Sequence, residues 1–277
     1  MKSTLSVIIL TFNERLHIRR CIERVRPIAT EIFVVDCHST DGTQAIARAL
    51  GATVVEHDWP GCQADQFNWA LDNLPIAGDW VLRLDADEYL TPELADEVRA
   101  RLDTLPPDVT GVRFKRRHIF LGRWVRHGIY PVWLLRLVRR GKARCEQRRM
   151  DEHLRLSEGR EIPFANDFVD HNLNDLVWWS QKHLGYARRE ADDLAEADFA
   201  VGTLTGQAAS KRRMKARYAH LPRFWRALAY FCYRYFLRLG FLDGAPGFLW
   251  AFLQALWYRT FVDALLYERE RREGRRA

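Results

Sequence analysis

Apolar runs in the first third of the chain are short and unbroken. At residues 5–11, 32–36, 53–56 and 80–84 they are β-rich and lack polar alternation, which predicts strands covered on both faces. Between them, residues 15–25, 43–50 and 64–74 suit helices. The order β-α-β-α-β-α-β predicts an α/β fold, doubly wound around a mostly parallel sheet with right-handed crossovers. Ligands of such sheets sit beyond the carboxyl ends of the strands. Three of those ends carry polar clusters: Thr11-Phe12-Asn13-Glu14, Asp36 through Gly42, and Asp85-Ala86-Asp87-Glu88.

Farther along, Thr91 and Pro92 predict the cap and first position of a helix, with Glu93 in its first turn. After Pro106-Pro107 the texture changes. Residues 111–149 are rich in arginine and aromatics, with strand-like runs at 112–114 and 133–138. Residues 174–197 predict one helix, with Leu176, Trp179, Leu184 and Ala187 partly on an apolar face. In 223–238, Arg223, Arg226, Arg234 and Arg238 recur at helical spacing, while Phe224, Trp225, Leu228, Phe231 and Phe236 take other faces. Residues 244–258 carry no charge, but these 15 positions fall short of a spanning helix, which needs about 20 apolar residues. The two segments predict amphipathic C-terminal helices at a membrane interface, basic where they meet anionic headgroups. A helical subdomain packed on the body, or a homodimer interface, is the alternative.

Charge strengthens the interfacial expectation. Net charge is +7, yet residues 211–277 hold 15 of the 43 basic and only 5 of the 36 acidic side chains. A basic tail on a mildly acidic body suggests contact with an anionic surface. Five scattered cysteines without CxxC pairing argue against a disulfide framework or zinc site and for a reducing cytosol. The N-terminal MKSTLSVIILTFNE lacks the length and cleavage site of a signal peptide and reads as a first buried strand. With 277 residues, 48% of them hydrophobic, the chain suffices for one large domain, alone or with an appendage.

Asp85-Ala86-Asp87 is the central chemical signal. Two carboxylates one residue apart at a strand end can turn together into the space above the sheet, where they suit Mg²⁺ or Mn²⁺ bridging a diphosphate. Isolated triplets of this kind are often solvated loops or helix caps; here the five-residue run Trp80-Val81-Leu82-Arg83-Leu84 precedes it. Asn13 or Glu14 can hold a base or ribose, or Asn13 can simply cap a helix. Asp36 suits a base N–H or a ribose hydroxyl. Asp41-Gly42 is an effective turn pair, so Asp41 reads as scaffolding.

Together, SVIILTFNE, FVVDCHSTDGT and WVLRLDADEYL resemble glycosyltransferase family 2, with its inverting, A-type fold, over roughly residues 5–154. A longer pattern resembles the lipopolysaccharide-core β-1,4-glucosyltransferase subgroup: Asn68-Trp69-Ala70-Leu71, Met150-Asp151-Glu152-His153-Leu154, Asp170-His171-Asn172-Leu173, Lys182-His183 with Tyr186-Ala187, and Gly240-Phe241-Leu242-Asp243-Gly244. The resemblance implies a nucleotide-sugar donor, UDP-linked, with Thr11, Asn13, Glu14 and Asp36 contacting the nucleoside. Asp85 would approach ribose or metal and Asp87 would ligate the metal. Cys37-His38 departs from the small residues more usual in that turn. An acidic residue after the DxD serves as base, matching Asp151 or Glu152, with Glu152 ahead; Arg148, Arg149 and Arg155 flank the pair, so a salt-bridged structural role is the alternative. His171 is a candidate third metal ligand, or a packed or surface histidine.

On this reading residues 1–110 form a nucleotide-sugar-binding half, 111–172 an acceptor-binding half, and 173–277 a membrane-associated helical region. The expected reaction moves a hexose, glucose from UDP-glucose, to a glycolipid or glycan acceptor such as lipopolysaccharide core, at the cytoplasmic face of the bacterial inner membrane. A polyprenyl phosphate or other envelope polysaccharide intermediate is the alternative acceptor. Arg113, Lys115, Arg116, Arg117, Arg123, Arg126, Arg136, Arg139 and Arg140, interleaved with Trp124 and Trp133, suit a diphosphate or a phosphorylated glycolipid. A nucleic-acid-binding protein would explain a pI near 9.3. It would not explain three acidic clusters at successive strand ends, so no nucleic-acid partner is expected.

Overall fold

The computed structural model describes residues 3–146, 152–195, 218 and 221–274. The chain divides into two compact units: Met1–Ile119 with Pro131–Leu173, and Phe120–Tyr130 with Asn174–Ala277.

In the first unit the strands β1 (Leu5–Thr11), β2 (Glu31–Asp36), β3 (Thr53–Glu56) and β4 (Trp80–Asp85) alternate with α1 (Ile18–Val25), α2 (Thr43–Ala49) and α3 (Gln63–Asn73). Next come β5 (Glu88–Leu90), α4 (Pro92–Arg101), β6 (Val109–Phe120), β8 (Val132–Arg139) and β11 (Arg160–Asp170), with β7 (Arg123–Trp124) in the second unit. Strands β9 (Ala143–Cys145) and β10 (Leu154–Leu156) form a separate antiparallel hairpin. The sheet runs β3-β2-β1-β4-β8-β6-β11-β5. Pairing is parallel from β3 to β4, and beyond β4 it is mixed.

Why the early strands lack alternation is plain from their packing. In β1, Leu5, Val7 and Ile9 join the core layer beneath α1 and α4, while Ile8 and Leu10 join the layer beneath α3. Both faces are therefore apolar, and each fully buried aliphatic side chain contributes about 1.5–3 kcal/mol of transfer free energy. Helix α1 supplies Ile18, Cys21, Ile22 and Val25, one stripe at helical spacing. Gly42 precedes α2 at φ +92°, a conformation that favours glycine. Thr91 Oγ1 accepts from Leu94 N at 3.2 Å and caps α4, with Pro92 in the first turn.

Two expectations change. Helix α1 begins at Ile18, not at 15, because Arg15 N donates to Asp41 and Glu14 and His17 are held by loop contacts. Part of the mid-chain basic group is ion-paired within the sheet, and Arg136 is buried. On β6, Arg113 pairs with Glu161, Lys115 and Arg117 with Asp167, and Arg116 with Asp170, all from β11. Arg139 and Arg140 donate to backbone carbonyls. The four cations of β6 brace two neighbouring strands, while Arg123, Arg126 and Arg140 stay exposed.

The second unit is helical: α5 (Leu176–Ala195), α6 (Trp225–Cys232), α7 (Gly244–Ala251) and α8 (Tyr258–Glu273). Ala187 and Ala191 of α5 pack closely on Tyr258 and Val262 of α8. Glu190 accepts from Tyr258 Oη at 2.7 Å and from Arg259 at 2.5 Å. Arg226 and Arg234, expected to face lipid, are buried instead, and Arg226 forms an ion pair with Asp263. The side chains of that pair are 3% and 1% exposed. Removing one member strands a buried charge, so Arg226→Ala is expected to lower unfolding free energy by about 3–5 kcal/mol in urea titration. A loss below about 1 kcal/mol would contradict the pairing.

Candidate active site

Register brings the first two acidic clusters to one edge. Thr11 is paired with Asp36 across β1 and β2, and Leu10 with Asp85 across β1 and β4, so all three parallel strands end level. The loop after β1 and the loop after β2 are laced together there. Asn13 N donates to Ser39 Oγ at 2.7 Å, and Thr40 N donates to Asn13 Oδ1 at 3.0 Å. Asn13 and His38 take left-handed backbone, at φ +55° and +59°. Non-glycine residues held this way cluster where a loop is shaped for a purpose. His38 fits the turn because its ring leaves it: Nε2 lies 2.7 Å from Asp58, whose hydrogen bond raises the imidazole pKa.

Asp36 does a different job from the one expected. Its side chain is fully buried and both oxygens are occupied. Oδ1 accepts from Ser39 N and Gln44 Nε2, each at 2.7 Å, and Oδ2 accepts from Thr11 Oγ1 at 2.7 Å and Ser39 Oγ at 2.6 Å. In this structure Asp36 and Thr11 shape the loop between them. Asp41 is also scaffolding. Burial opposes its ionisation, but donors from Thr43 and Arg15 outweigh this and hold the carboxyl below the usual range. The exposed positions at this edge include Phe12, Asn13, His38 and Thr40.

At the third strand end the main chain turns through Ala86 and Asp87 into β5. Glu88 is no loop ligand; it is buried, accepts from Asp85 N at 3.1 Å, and forms an ion pair with Arg136. Burial pushes its carboxyl above the ordinary range against the pull of Arg136. Asp85 lies between two buried arginines, with Oδ2 3.6 Å from Arg136 and Oδ1 3.9 Å from Arg83. Among the described residues, the buried Oδ1 has no hydrogen-bond partner.

Asp87 is oriented from the end of β11. Asn172 Nδ2 donates to Asp87 Oδ2 at 3.0 Å, and His171 N donates to Asp87 O at 3.1 Å. Residues 171–173 are in turn tied to the start of α1. His17 accepts from Leu173 N at 2.8 Å through Nε2 and lies 2.6 Å from Glu14 through Nδ1, so Glu14 acts through His17. Arg20 donates to His171 Nδ1 at 3.1 Å and to His171 O at 2.5 Å. A guanidinium can only donate, so the His171 proton sits on Nε2, the wrong tautomer for ligation through that atom. Burial and Arg20 also lower its pKa. Among the described residues no group of three or more His, Cys, Asp or Glu side chains is arranged to hold a metal ion. The expected trio of Asp85, Asp87 and His171 is therefore not assembled. The two carboxylates still fit a hard divalent cation: one offers a buried, unsatisfied oxygen, the other is held by an amide. Phosphate oxygens and water commonly complete such a shell.

Should Asp87 ligate a cation, Asn172 would orient it from outside the shell, and Asn172→Ala is then expected to weaken Mn²⁺ binding in the presence of UDP by about 10–100-fold, read by calorimetry. Unchanged affinity would remove the orienting role.

Asp151 lies outside the described residues. Glu152 is half-buried just before β10. The hairpin that carries it is clamped by Asn68, whose side chain donates to Cys145 O and accepts from Cys145 N, both at 2.9 Å. Burial raises the Cys145 thiol, Arg83 pulls it down and Glu152 pushes it up, so Glu152 lies within electrostatic reach of that thiol. Arg83 Nη1 donates to Cys145 Sγ at 2.8 Å. Arg83 thus links the hairpin bearing Glu152 to the turn bearing Asp85.

The model of the family described as Glycosyl transferase family 2 matches residues 6–164. Lipopolysaccharide core biosynthesis glycosyltransferase LpsC of Rhizobium meliloti is 27% identical, over 99% of this chain and 96% of that protein. An uncharacterized glycosyltransferase of Rickettsia conorii is 46% identical over 94 residues, 34% of this chain. The chain spans about a third of the length of such Rickettsia relatives. Among solved structures, glucosyl-3-phosphoglycerate synthase from Mycobacterium tuberculosis aligns at 25% identity over 42% of this chain and 44% of that one, with a TM-score of 0.35.

Proposed function

The chain belongs to glycosyl transferase family 2, and from that premise we propose that it is an inverting, metal-dependent transferase of glucose from UDP-glucose to a membrane-held glycan such as lipopolysaccharide core. The observation that carries this reading is the level ending of β1, β2 and β4, which sets Asn13 and the 37–40 backbone on the same edge as Asp85 and Asp87. Its fold is the α/β arrangement of that family, with helices at the C-terminal end.

In the proposed reaction Asp85 and Asp87 would hold Mg²⁺ or Mn²⁺, which neutralises charge on the departing nucleoside diphosphate. Asn13 and the backbone of residues 37–40 bind the nucleoside. Asn172 fixes the Asp87 carboxylate, His171 N holds the Asp87 carbonyl, and Arg136 and Glu88 fix the end of β4 that carries Asp85. Glu152 takes the acceptor hydroxyl proton as the new bond to the anomeric carbon forms and the bond to diphosphate breaks, which inverts that carbon. The likeness to LpsC over nearly its whole length supports a lipopolysaccharide-core acceptor. Succinoglycan biosynthesis protein ExoA of Rhizobium meliloti, 28% identical over 46% of this chain, favours a second acceptor class, an envelope polysaccharide intermediate on a lipid carrier.

A thermal-shift screen of nucleotide sugars with and without Mn²⁺ tests the donor assignment, because a ligand that binds only the folded state raises its apparent stability. UDP-glucose with Mn²⁺ is expected to give the largest shift. Equal, negligible shifts for every nucleotide sugar would overturn the reading.

A further inference from the structure

After α6 the second unit turns a corner. The backbone runs through a π-helical turn (Tyr233–Leu237), bends at Leu239, held at φ +59°, and continues through a 3₁₀ turn (Gly240–Asp243) into α7. Left-handed backbone is uncommon for an aliphatic residue. Contacts behind the bend impose it here. Gly128 N donates to Arg238 O at 2.9 Å, His127 N donates to Asp243 Oδ2 at 2.8 Å, and a Cβ on Gly240 would lie 2.9 Å from Arg234 O. Held in this way, the corner leaves Phe236, Leu237, Leu239, Phe241 and Leu242 between 43% and 75% exposed. Single exposed apolar side chains are ordinary, but a run of large ones on a rigid corner is not.

Charge identifies the partner. Arg238 is exposed in the middle of this run, and the single acidic residue between positions 221 and 258, Asp243, is buried against His127. A second copy seated on this patch would meet one exposed cation, Arg238, and no exposed carboxylate from positions 221–258 to pair with it. An anionic bilayer supplies what the patch lacks: acyl chains for the apolar side chains and phosphates for Arg238. No single helix among the described residues is long and apolar enough to cross a membrane; the pair Trp225–Leu237 and Gly240–Glu273 has the length and apolar character only together, across a bend of 69°.

We propose that this corner is a membrane-insertion wedge that docks the protein on an anionic lipid surface. It deepens the membrane-held acceptor proposed above, and apolar insertion replaces the buried arginines as the main source of binding.

The test is flotation of the full chain with vesicles of phosphatidylcholine alone or with added phosphatidylglycerol, at low and high salt. The native chain is expected to float with both, more with the anionic vesicles, and to stay bound at high salt. Leu237→Glu with Phe241→Glu, both exposed positions, is expected to lower partitioning about tenfold or more on both lipids. The neutral pair Leu237→Gln with Phe241→Gln is expected to do the same, and Arg238→Glu to remove only the preference for anionic lipid. Metal-dependent hydrolysis of UDP-glucose in solution, which needs no lipid, separates failure of the wedge from failure of the enzyme reading. Native-like partitioning of both double variants would overturn the proposal. So would complete release of the native chain by salt, or a dimer-to-monomer change in light scattering with vesicle binding retained, which would assign the corner to a second copy.

Discussion

Asp87→Ala is expected to cut UDP-glucose turnover by roughly 10²–10⁴-fold while the protein stays folded. The asymmetry follows from where Asp87 lies. It is half-buried in the two-residue turn between β4 and β5, outside both core layers. Its carboxylate accepts from Asn172, and loss of one such partly exposed bond costs about 1 kcal/mol. The cation it would hold, by contrast, faces charge that grows as the diphosphate leaves. Steady-state kinetics with added Mn²⁺ and a thermal melt check both halves. Near-native turnover would remove Asp87 from the metal site, and a collapsed melting temperature would make it structural.

Glu152→Gln should have an effect of similar size on a different constant. Glutamine keeps the shape but cannot accept a proton, so kcat is expected to fall about 10²–10⁴-fold with little change in donor KM. Asp151→Asn serves as the matched comparison and is expected to stay within about tenfold of the native rate. The reverse pattern would move the base to Asp151. If neither variant loses turnover, the base lies on another element.

The parts of this site that were legible in the sequence are those set by local pattern. The strands β1, β2 and β4 announce themselves because both of their faces are buried, and the polar residues that follow them fall at one edge because parallel strands in register must end together. What was illegible depends on long-range pairing. Arg113 and Glu161 are 48 positions apart, so in sequence the arginines of β6 look like an open basic patch, and only the placement of β11 beside β6 shows them neutralised. Asp36 is ambiguous in the sequence for a related reason. A carboxylate at a strand end can serve a ligand or a loop, and the donors that fill it, Ser39 and Gln44, carry no signal of their own. Asn172 was visible only as part of a motif; its hold on Asp87 spans 85 positions. In the second unit, Arg226 and Arg234 sit at amphipathic spacing, but the face they mark points inward, toward Asp263 in the case of Arg226.

The most direct test of the metal-diphosphate site is crystallography of the protein with UDP-glucose and Mn²⁺, using anomalous scattering to locate the ion. An anomalous peak within about 2.0–2.6 Å of carboxylate oxygens from both Asp85 and Asp87, bridging to the diphosphate, is the expected result. A donor bound elsewhere, or a peak that neither aspartate touches, would contradict it.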